Sequence, residues 1–143
     1  MNTVKTLLKS KPQSTPCAIT PDTTVLEALR LMAERNVGAL LVMQHEQLLG
    51  MLSERDYARR VAQSADTSVH LPVSEIMTSP VWTVTLQSTR ETCMSIMTNK
   101  RVRHLPVLDN GRVVNVLSIG DLVKDALNEQ EETIHQLEQY VNS

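Results

Sequence analysis

The sequence predicts a mixed α/β (α+β) fold made of two copies of one unit, each running strand, helix, strand, strand, helix. Three observations predict it. Residues 19–56 lie over residues 84–121 without a gap when the chain is shifted by 65 positions. Each copy has apolar residues at helical spacing, followed by two β-prone runs. A short turn joins those two runs in each copy. Self-similarity at a fixed period is the signature of a repeat architecture.

The repeat is carried by identical residues as well as by the apolar pattern. Nine aligned pairs are identical: Thr20/Thr85, Thr24/Thr89, Met32/Met97, Val37/Val102, Leu40/Leu105, Val42/Val107, Leu52/Leu117, Ser53/Ser118 and Asp56/Asp121. Residues 4–10 also resemble residues 73–79 at an offset of 69, so the first copy carries about four extra residues in "KPQS". We divide the chain into a first repeat with its leading segment (1–66), a second repeat with its linker (67–128) and a helical tail (129–143).

The first helix of each copy is predicted to begin at a capping box, in which a hydroxyl and an acid three residues later bond reciprocally to the backbone. Thr24 and Glu27 form it in the first copy, and Ser88 and Glu91 in the second. Apolar residues three and four apart place one face of each helix inward. That face contains Leu26, Leu29, Met32 and Ala33 in the first copy, and Met94, Ile96 and Met97 in the second.

Two β-prone runs follow each helix. They are "ALLVM" and "LLGMLS" in the first copy, joined by residues 45–47, and "HLPVL" and "RVVNVLS" in the second, joined by residues 109–111. Asn110-Gly111 between such runs strongly favours a hairpin. Pro106 cannot donate to a sheet ladder and therefore indicates an edge strand or a strand end.

The tail after the second unit is predicted to continue as a charged helix. Ile134, Leu137 and Val141 fall on one of its faces. That stripe either docks on the chain's own core or forms a contact between two copies in a dimer, and the sequence favours neither.

Composition excludes several classes of protein. The net charge of −2 over 143 residues and the 2% aromatic content argue against a nucleic-acid surface. No apolar stretch approaches the length of a membrane span, and the N-terminus has no signal-like apolar region, which predicts a cytoplasmic protein. Cys17 and Cys93 lie in apolar, periodic surroundings, which predicts reduced core thiols. The four histidines fit no metal-ligand spacing, and no catalytic constellation is recognisable, so an enzyme is not expected.

Ser53-x-x-Asp56 and its counterpart Ser118-x-x-Asp121 each open the last helix of a copy. Either one alone is typical of a helix cap. A helix N-terminus is also an anion site, where a serine hydroxyl can donate to phosphate and an aspartate can accept from two ribose hydroxyls. Arg55 adds a fork suited to phosphate. Because helix caps are interchangeable among several residue types, retention of the same pair in a diverged repeat favours a ligand role.

The motifs "SEIMTSPVWTVT", "NKRVRHLPVLDNGRVVNVLSIGDL" and "LLGMLSERDYARRV" give residues 4–127 a clear resemblance to a tandem pair of CBS (cystathionine β-synthase) domains, a Bateman module. The resemblance is strongest to small stand-alone bacterial CBS-pair proteins. It implies two repeats packed about a pseudo-two-fold axis, with two related clefts that bind AMP, ADP or ATP, and in some members NAD or S-adenosylmethionine. AMP is the expected ligand.

The resemblance also implies the residues of each cleft, with the serine on phosphate and the aspartate on ribose. Cleft 1 is expected to contain Thr20, Val37, Gly38, Ala39, Leu40, Ser53, Arg55 and Asp56. Cleft 2 is expected to contain Thr85, Val102, Arg103, His104, Pro106, Ser118, Ile119 and Asp121.

Two departures from the family pattern predict unequal clefts. Gly50, three residues before the first motif serine, becomes Asn115 in the second copy, and asparagine tolerates unusual backbone angles. Glu54-Arg55 becomes Ile119-Gly120, so cleft 2 is expected to draw its positive charge from Arg103 and His104.

These features predict a regulatory sensor of adenine nucleotides. It is expected to form a flat, disc-like homodimer and to act on an unknown effector protein. The alternative is a ligand-independent dimeric scaffold whose motifs serve only as caps.

Overall fold

The computed structural model describes residues 2–11 and 16–142. Its elements in chain order are α1 (Val4–Leu8), β1 (Ala18–Ile19), α2 (Val25–Arg35), β2 (Ala39–Gln44), β3 (Gln47–Ser53), α3 (Glu54–Ser64), a 3₁₀ turn (Val73–Glu75), β4 (Val84–Thr85), α4 (Arg90–Lys100), β5 (His104–Asp109), β6 (Arg112–Ser118) and α5 (Ile119–Asn142). The predicted order of elements is confirmed in both copies. Of the predicted "KPQS" insertion only Lys11 is described, and residues 12–14 lie outside the described residues.

Each copy forms its own three-stranded sheet with the same topology. The strand orders are β1-β2-β3 and β4-β5-β6, with the first pair of strands parallel and the second pair antiparallel. Both antiparallel ladders shift register at the same aligned position, between Val42 and Met43 in one sheet and between Val107 and Leu108 in the other. The repeat therefore extends to the irregularities of the sheets, and the predicted fold class is confirmed.

Both predicted hairpins are present, each closed by two residues with positive φ. These are His45 (51°) and Glu46 (66°) in the first, and Asn110 (51°) and Gly111 (79°) in the second. Positive φ at both central positions is the type I′ turn, whose twist matches that of the flanking strands. Both turns are one residue shorter than predicted, because Gln47 already belongs to β3 and Asp109 still belongs to β5.

Pro106 lies in the central strand of its sheet, so the predicted edge position is wrong. The aligned residue, Leu41, donates its backbone N–H to the carbonyl of Cys17 at 3.0 Å. Proline has no N–H to donate. The pairing of β4 with β5 accordingly begins at Val84 and Val107, one residue later than in the first sheet. Displacement of the two-residue parallel ladder by one position accommodates the proline.

The first helix of each copy is capped by the same aligned threonine. Thr24 accepts from the backbone N–H of Glu27 at 3.2 Å, and Thr89 accepts from that of Thr92 at 3.1 Å. The predicted cap at Ser88 is wrong, because its hydroxyl instead accepts from the N–H of Thr85 at 3.1 Å. Ser88 stabilises the turn that precedes the helix.

The buried faces of these helices are rotated from the prediction. Val25, Ala28 and Met32 are buried in α2, whereas Ala33 is exposed. In α4 the buried residues are Cys93 and Met97, with the predicted Met94 and Ile96 only partly buried against them. Both cysteines are free, with Cys93 in the core and Cys17 half-buried.

The hydrophobic cores show that the leading segments of the two copies are exchanged. Val73, which precedes the second copy, is fully buried in the core of the first. Val4 and Leu7 of α1, which precede the first copy, are buried in the core of the second. Equivalent backbone bonds fix both segments, from Val73 N–H to the Thr23 carbonyl and from Val4 N–H to the Ser88 carbonyl, each at 2.8 Å.

The division of the chain at residue 66 therefore describes the repeats in the sequence. In the folded protein each repeat also contributes a segment to the core of the other. Burying one valine contributes about 1.5–3 kcal/mol. Pulling the repeats apart would expose both of these leading segments and leave a gap in each core. The two sheets thus depend on each other for a complete hydrophobic core.

Helix α5 joins the second core at Leu122 and then extends away from it. The predicted helical tail is confirmed. Ile134, Leu137 and Val141 are 55%, 59% and 79% exposed, so docking of this stripe on the chain's own core is wrong. No helix of the described chain, α5 included, has the length and apolarity needed to cross a membrane.

Candidate functional site

Both Ser-x-x-Asp motifs form complete capping boxes. In α3, the Ser53 N–H donates to Asp56 Oδ2 at 2.8 Å, and the Asp56 N–H donates to Ser53 Oγ at 3.1 Å. In α5, the corresponding bonds between Ser118 and Asp121 measure 2.9 and 3.2 Å. The capping interpretation is confirmed for both copies. Each serine hydroxyl keeps its own proton for donation, and each carboxylate keeps further acceptor capacity.

The carboxylate of the first motif is joined by a neutral hydroxyl. Thr78 Oγ1 donates to Asp56 Oδ1 at 3.1 Å. The backbone of Thr78 pairs with that of Met51, with N–H to carbonyl distances of 2.8 and 3.0 Å. A side chain at Gly50 would prevent this approach, because a Cβ there would lie 2.7 Å from the Thr78 carbonyl oxygen. Gly50 is thus required by close packing of two backbones.

Among the described residues the second motif shows no such backbone pairing, and side chains bond to the aligned strand in its place. Asn115, aligned with Gly50, accepts the Val116 N–H on its own Oδ1 at 2.8 Å. Lys11 donates from Nζ to the Val116 carbonyl and to Asp121 Oδ2, the latter at 2.8 Å. Asn115 has no positive φ, so the predicted reason for this substitution, unusual backbone angles, is wrong.

Lys11 changes the electrostatics of the second carboxylate. Burial acts to raise the pKa of Asp121, but the hydrogen bonds from Lys11 and Ser118 outweigh it, and the pKa lies below its usual value. Asp121 therefore stays ionised and paired with a lysine, whereas Asp56 is paired with a hydroxyl. The side chains of Lys11 and Asp121 are 23% and 24% exposed, so water screens their attraction only in part.

The two motifs meet at the junction of the repeats, around His104. A Cβ on Gly38 would lie 3.7 Å from the His104 ring, which places the starts of β2 and β5 side by side. Burial lowers the pKa of His104, while the charges of Asp121 and Asp56 act to raise it. The Gly38 carbonyl accepts the Glu54 N–H at 3.1 Å and His104 pairs with Ser118, so both motifs begin near the contact of Gly38 with His104.

The other predicted site residues divide by exposure. Ala39 pairs with Ser53 and His104 pairs with Ser118 across their sheets, which brings these residues to the motifs. Leu40 is 1% exposed and faces the first core, so its side chain does not line a cleft. Half-buried or buried positions also include Gly38, Val102 and Pro106, while Val37, Arg55, Arg103 and Ile119 are exposed.

The exposed Thr20 and Thr85 serve the turn before the first helix of each copy. The Thr20 hydroxyl donates to Asp22 Oδ1 and lies 3.1 Å from Thr23 Oγ1, and the Thr85 hydroxyl lies 3.4 Å from Ser88 Oγ. Any ligand contact from either threonine would compete with these local bonds.

Two open cavities lie among the described residues away from the motifs, and neither is lined by a motif serine or aspartate. One of about 540 Å³ lies between the β2–β3 hairpin, residues 79–83 and the β5–β6 hairpin. Another of about 510 Å³ lies between β1 and α2 and includes Thr20. Within the described ranges, no group of three or more His, Cys, Asp or Glu side chains is arranged to hold a metal ion.

Sequence reasoning missed Lys11 and Thr78, the two residues that contact the motif aspartates. The offset of 69 aligns Lys9 with Thr78 and Lys11 with Pro80, so the leading segments were visible as a pair. Their exchange was not visible, because the Lys11–Asp121 contact spans 110 positions.

The interleaved repeats, their matched sheets and their two capped Ser-Asp pairs define a tandem-repeat α+β module. The CBS domain matches the sequence twice, over residues 7–63 and 73–128. The chain belongs to the CBS domain family, and it carries two copies of the domain.

Solved structures support this assignment. One CBS domain crystal structure is 50% identical, covers 88% of this chain and 98% of its own, and has a TM-score of 0.80. A protein with CBS domains from Burkholderia ambifaria is 42% identical, with coverages of 90% and 96% and a TM-score of 0.83. A CBS domain protein from Pyrobaculum aerophilum, complexed with AMP, is 27% identical, with coverages of 84% and 89% and a TM-score of 0.72.

Proposed function

We propose that this protein is a regulatory sensor of adenine nucleotides, with AMP as its ligand. The observation that carries the proposal is the duplicated Ser-Asp pair at the junction of the repeats, each pair at a helix N-terminus. The serine hydroxyl and the positive end of the helix dipole complement a phosphate, and the carboxylate complements the hydroxyls of a ribose. The AMP complex of the Pyrobaculum aerophilum relative supports the choice of ligand.

In this proposal Ser53 and Asp56 serve one cleft, and Ser118 and Asp121 serve the other. Arg55, in the first turn of α3, is exposed and available to a phosphate in cleft 1. Arg103 and His104 supply the corresponding polar groups in cleft 2. Gly38 and Ala39 are small and leave room for a purine against the backbone.

Binding would act by shifting the arrangement of the repeats. A ligand can shift an equilibrium only as far as its affinities for two states differ. A site between interleaved repeats has this property, because any change in their angle alters the distances among the two motifs. The output is received by an effector protein, since the proposed role is regulatory and not catalytic.

Isothermal titration with AMP tests the proposal. AMP is expected to bind, and Asp56→Ala is expected to weaken binding at least tenfold, because a hydrogen bond to a charged group contributes about 1.5–3 kcal/mol. Asp109→Ala, which removes an exposed carboxylate at the second hairpin, is the matched control and should bind as the wild type does. ADP, ATP, NAD and S-adenosylmethionine, titrated in parallel, identify any preferred relative of AMP.

The second candidate is a ligand-independent scaffold, and the complete capping boxes favour it, because they give both motifs a structural role. It predicts that none of the adenosine ligands binds and that Asp56→Ala lowers only the stability of the fold. Thermal melts of wild type and variant, recorded with and without AMP, distinguish the two functions.

We also propose that the protein is a homodimer whose contact includes the exposed stripe of α5. Val123, Leu127, Ile134, Leu137 and Val141 are all at least 45% exposed and recur at spacings of three, four and seven. Such a stripe is the seam of a paired helix. An antiparallel pair would set Lys124 of each copy beside Glu138 of the other, whereas a parallel pair offers no such match.

Sedimentation at micromolar concentration tests the dimer. Leu137→Glu places a charge in the proposed seam and should yield monomers. Gln136→Glu adds the same charge to a neighbouring position outside the stripe and should leave the dimer intact. A monomeric wild type would refute the proposal.

A further inference from the structure

We infer that Lys11 sets the ligand preference of the second cleft, because its bond to Asp121 competes with the ribose hydroxyls of a ligand. The inference rests on the proposed function and adds a residue from the leading segment of the opposite repeat to the site. Lys11 lies just after α1, 110 positions from Asp121 in sequence, and its Nζ lies 2.8 Å from Asp121 Oδ2.

The two motif carboxylates differ in how their acceptor positions are used. An ionised carboxylate has about two acceptor positions on each oxygen. Asp56 uses one on Oδ2 for the Ser53 N–H and one on Oδ1 for the Thr78 hydroxyl. One position therefore remains on each oxygen. That arrangement suits two adjacent ribose hydroxyls, each donating to a different oxygen.

Asp121 has the same number of bonds in a different distribution. Its Oδ2 accepts from both the Ser118 N–H and Lys11 Nζ, which fills that oxygen. Among the described residues no donor bonds to Oδ1, so both remaining positions lie on one oxygen. A pair of ribose hydroxyls can bridge the carboxylate only after Lys11 leaves.

Displacing Lys11 breaks more than one bond. Its ammonium also donates to the Val116 carbonyl, an acceptor that in the first repeat is satisfied by the Thr78 backbone. Among the described residues no backbone N–H takes that place in the second repeat, and Lys11 is the donor to the Val116 carbonyl. The displaced ammonium of Lys11 has no charge to pair with in a neutral nucleoside, whereas the negative phosphate of a nucleotide attracts it. Cleft 2 should therefore discriminate against adenosine more strongly than cleft 1 does.

Asp56→Ala protein is titrated with adenosine and with AMP. Because this variant weakens cleft 1, the measured binding comes from cleft 2. Adding Lys11→Met, which keeps the length of the side chain and removes its charge, should raise adenosine affinity roughly tenfold, since a bond to a charged group no longer competes. The ratio of AMP affinity to adenosine affinity should fall. Lys9→Met makes the same charge change at an exposed position two residues earlier and should alter neither affinity.

The possible outcomes separate the two proposals. If wild-type protein binds AMP through Asp56 but Lys11→Met leaves adenosine affinity unchanged or lowers it, the inference about Lys11 fails and the proposed function stands. If neither wild type nor Lys11→Met protein binds AMP or adenosine, both fail. A thermal melt of Lys11→Met accompanies the titration, so that loss of the folded state is not mistaken for a weak site.

Discussion

The two repeats solve the same local problem with different groups. In the first, the backbone of Met51 pairs with the backbone of Thr78. In the second, the aligned backbone of Val116 bonds to two side chains, Asn115 and Lys11. Glycine at position 50 is needed for the close approach of Thr78, whereas the aligned Asn115 bonds to the Val116 N–H with its own side chain. A neutral hydroxyl bonds to the motif aspartate in the first repeat, and a cation does so in the second.

A second difference lies at the start of the first helix of each copy. Val25 is fully buried, and Arg90 occupies the aligned position. Arg90 reaches α5, where it pairs with Asp125 at 2.9 Å and with Glu129. The hydrogen bond that Arg90 donates to Glu129 is the main reason that the pKa of Arg90 is raised. The second repeat thus joins its first and last helices with an ion-pair network, whereas the aligned residue of the first repeat is buried in the apolar core.

Exchanging these residues between the copies should have the largest effect. Val25→Arg places a guanidinium in the first core. The position aligned with Asp125, the partner of Arg90, holds Arg60 in the first repeat and offers no acid. An unpaired buried charge costs about 4 kcal/mol or more, so this variant should be largely unfolded. The reverse change, Arg90→Val, loses the bonds to α5 and should cost about 2 kcal/mol. Urea denaturation measures both, and comparable losses for the two variants would contradict the asymmetry.

The exchange at the motif should come next in size. Gly50→Asn forces a Cβ to within 2.7 Å of the Thr78 carbonyl and 2.8 Å of Met77 Sδ, so the backbones must separate. Overpacking of this kind costs about 1–3 kcal/mol. Asn115→Gly creates no clash and should cost about 1 kcal/mol at most, from the flexibility of glycine in a strand. Hydrogen exchange at Thr78 reports the broken pairing in Gly50→Asn, and persistent protection there would refute this account of Gly50.

The exchange at the junction should have the smallest effect and depends on pH. His104 aligns with Ala39, and burial holds the pKa of His104 below its usual value. The unfolded chain then binds a proton more readily than the folded one, so stability is lost as pH falls from about 6.5 through the lower folded value. His104→Ala should remove this loss between pH 6.5 and 5. An unchanged pH profile of the melting temperature in the variant would count against the imidazole as its source.

Local sequence was sufficient for much of this molecule. The hairpin at Asn110-Gly111 and the cap at Thr24 depend only on neighbouring residues, so pattern and turn chemistry predicted them. Ser88 was mistaken for a cap because two adjacent hydroxyls, Ser88 and Thr89, are equally able to accept there. The position of Pro106 could not be predicted because the strand beside it starts its pairing one residue later, which no local pattern reports.

The contacts at the motif aspartates could not be predicted for a different reason. Lys11 and Thr78 reach Asp121 and Asp56 only because each leading segment crosses to the other repeat. Both segments resemble each other, so sequence comparison shows that they are equivalent but not which core receives each. That choice depends on the length and path of the connections, which a one-dimensional pattern does not contain.

Because the leading segments cross, each repeat holds a segment of the other in its core. If the chain were cut between residues 66 and 69, the N-terminal fragment would keep α1 buried in the core of the second repeat. The C-terminal fragment would keep the 3₁₀ turn at Val73 buried in the core of the first. The two fragments would stay together without a covalent link. Neither repeat could be transplanted alone into another protein as a finished unit, because the piece that closes its core is encoded outside its own sheet and helices. The smallest portable unit is the whole pair.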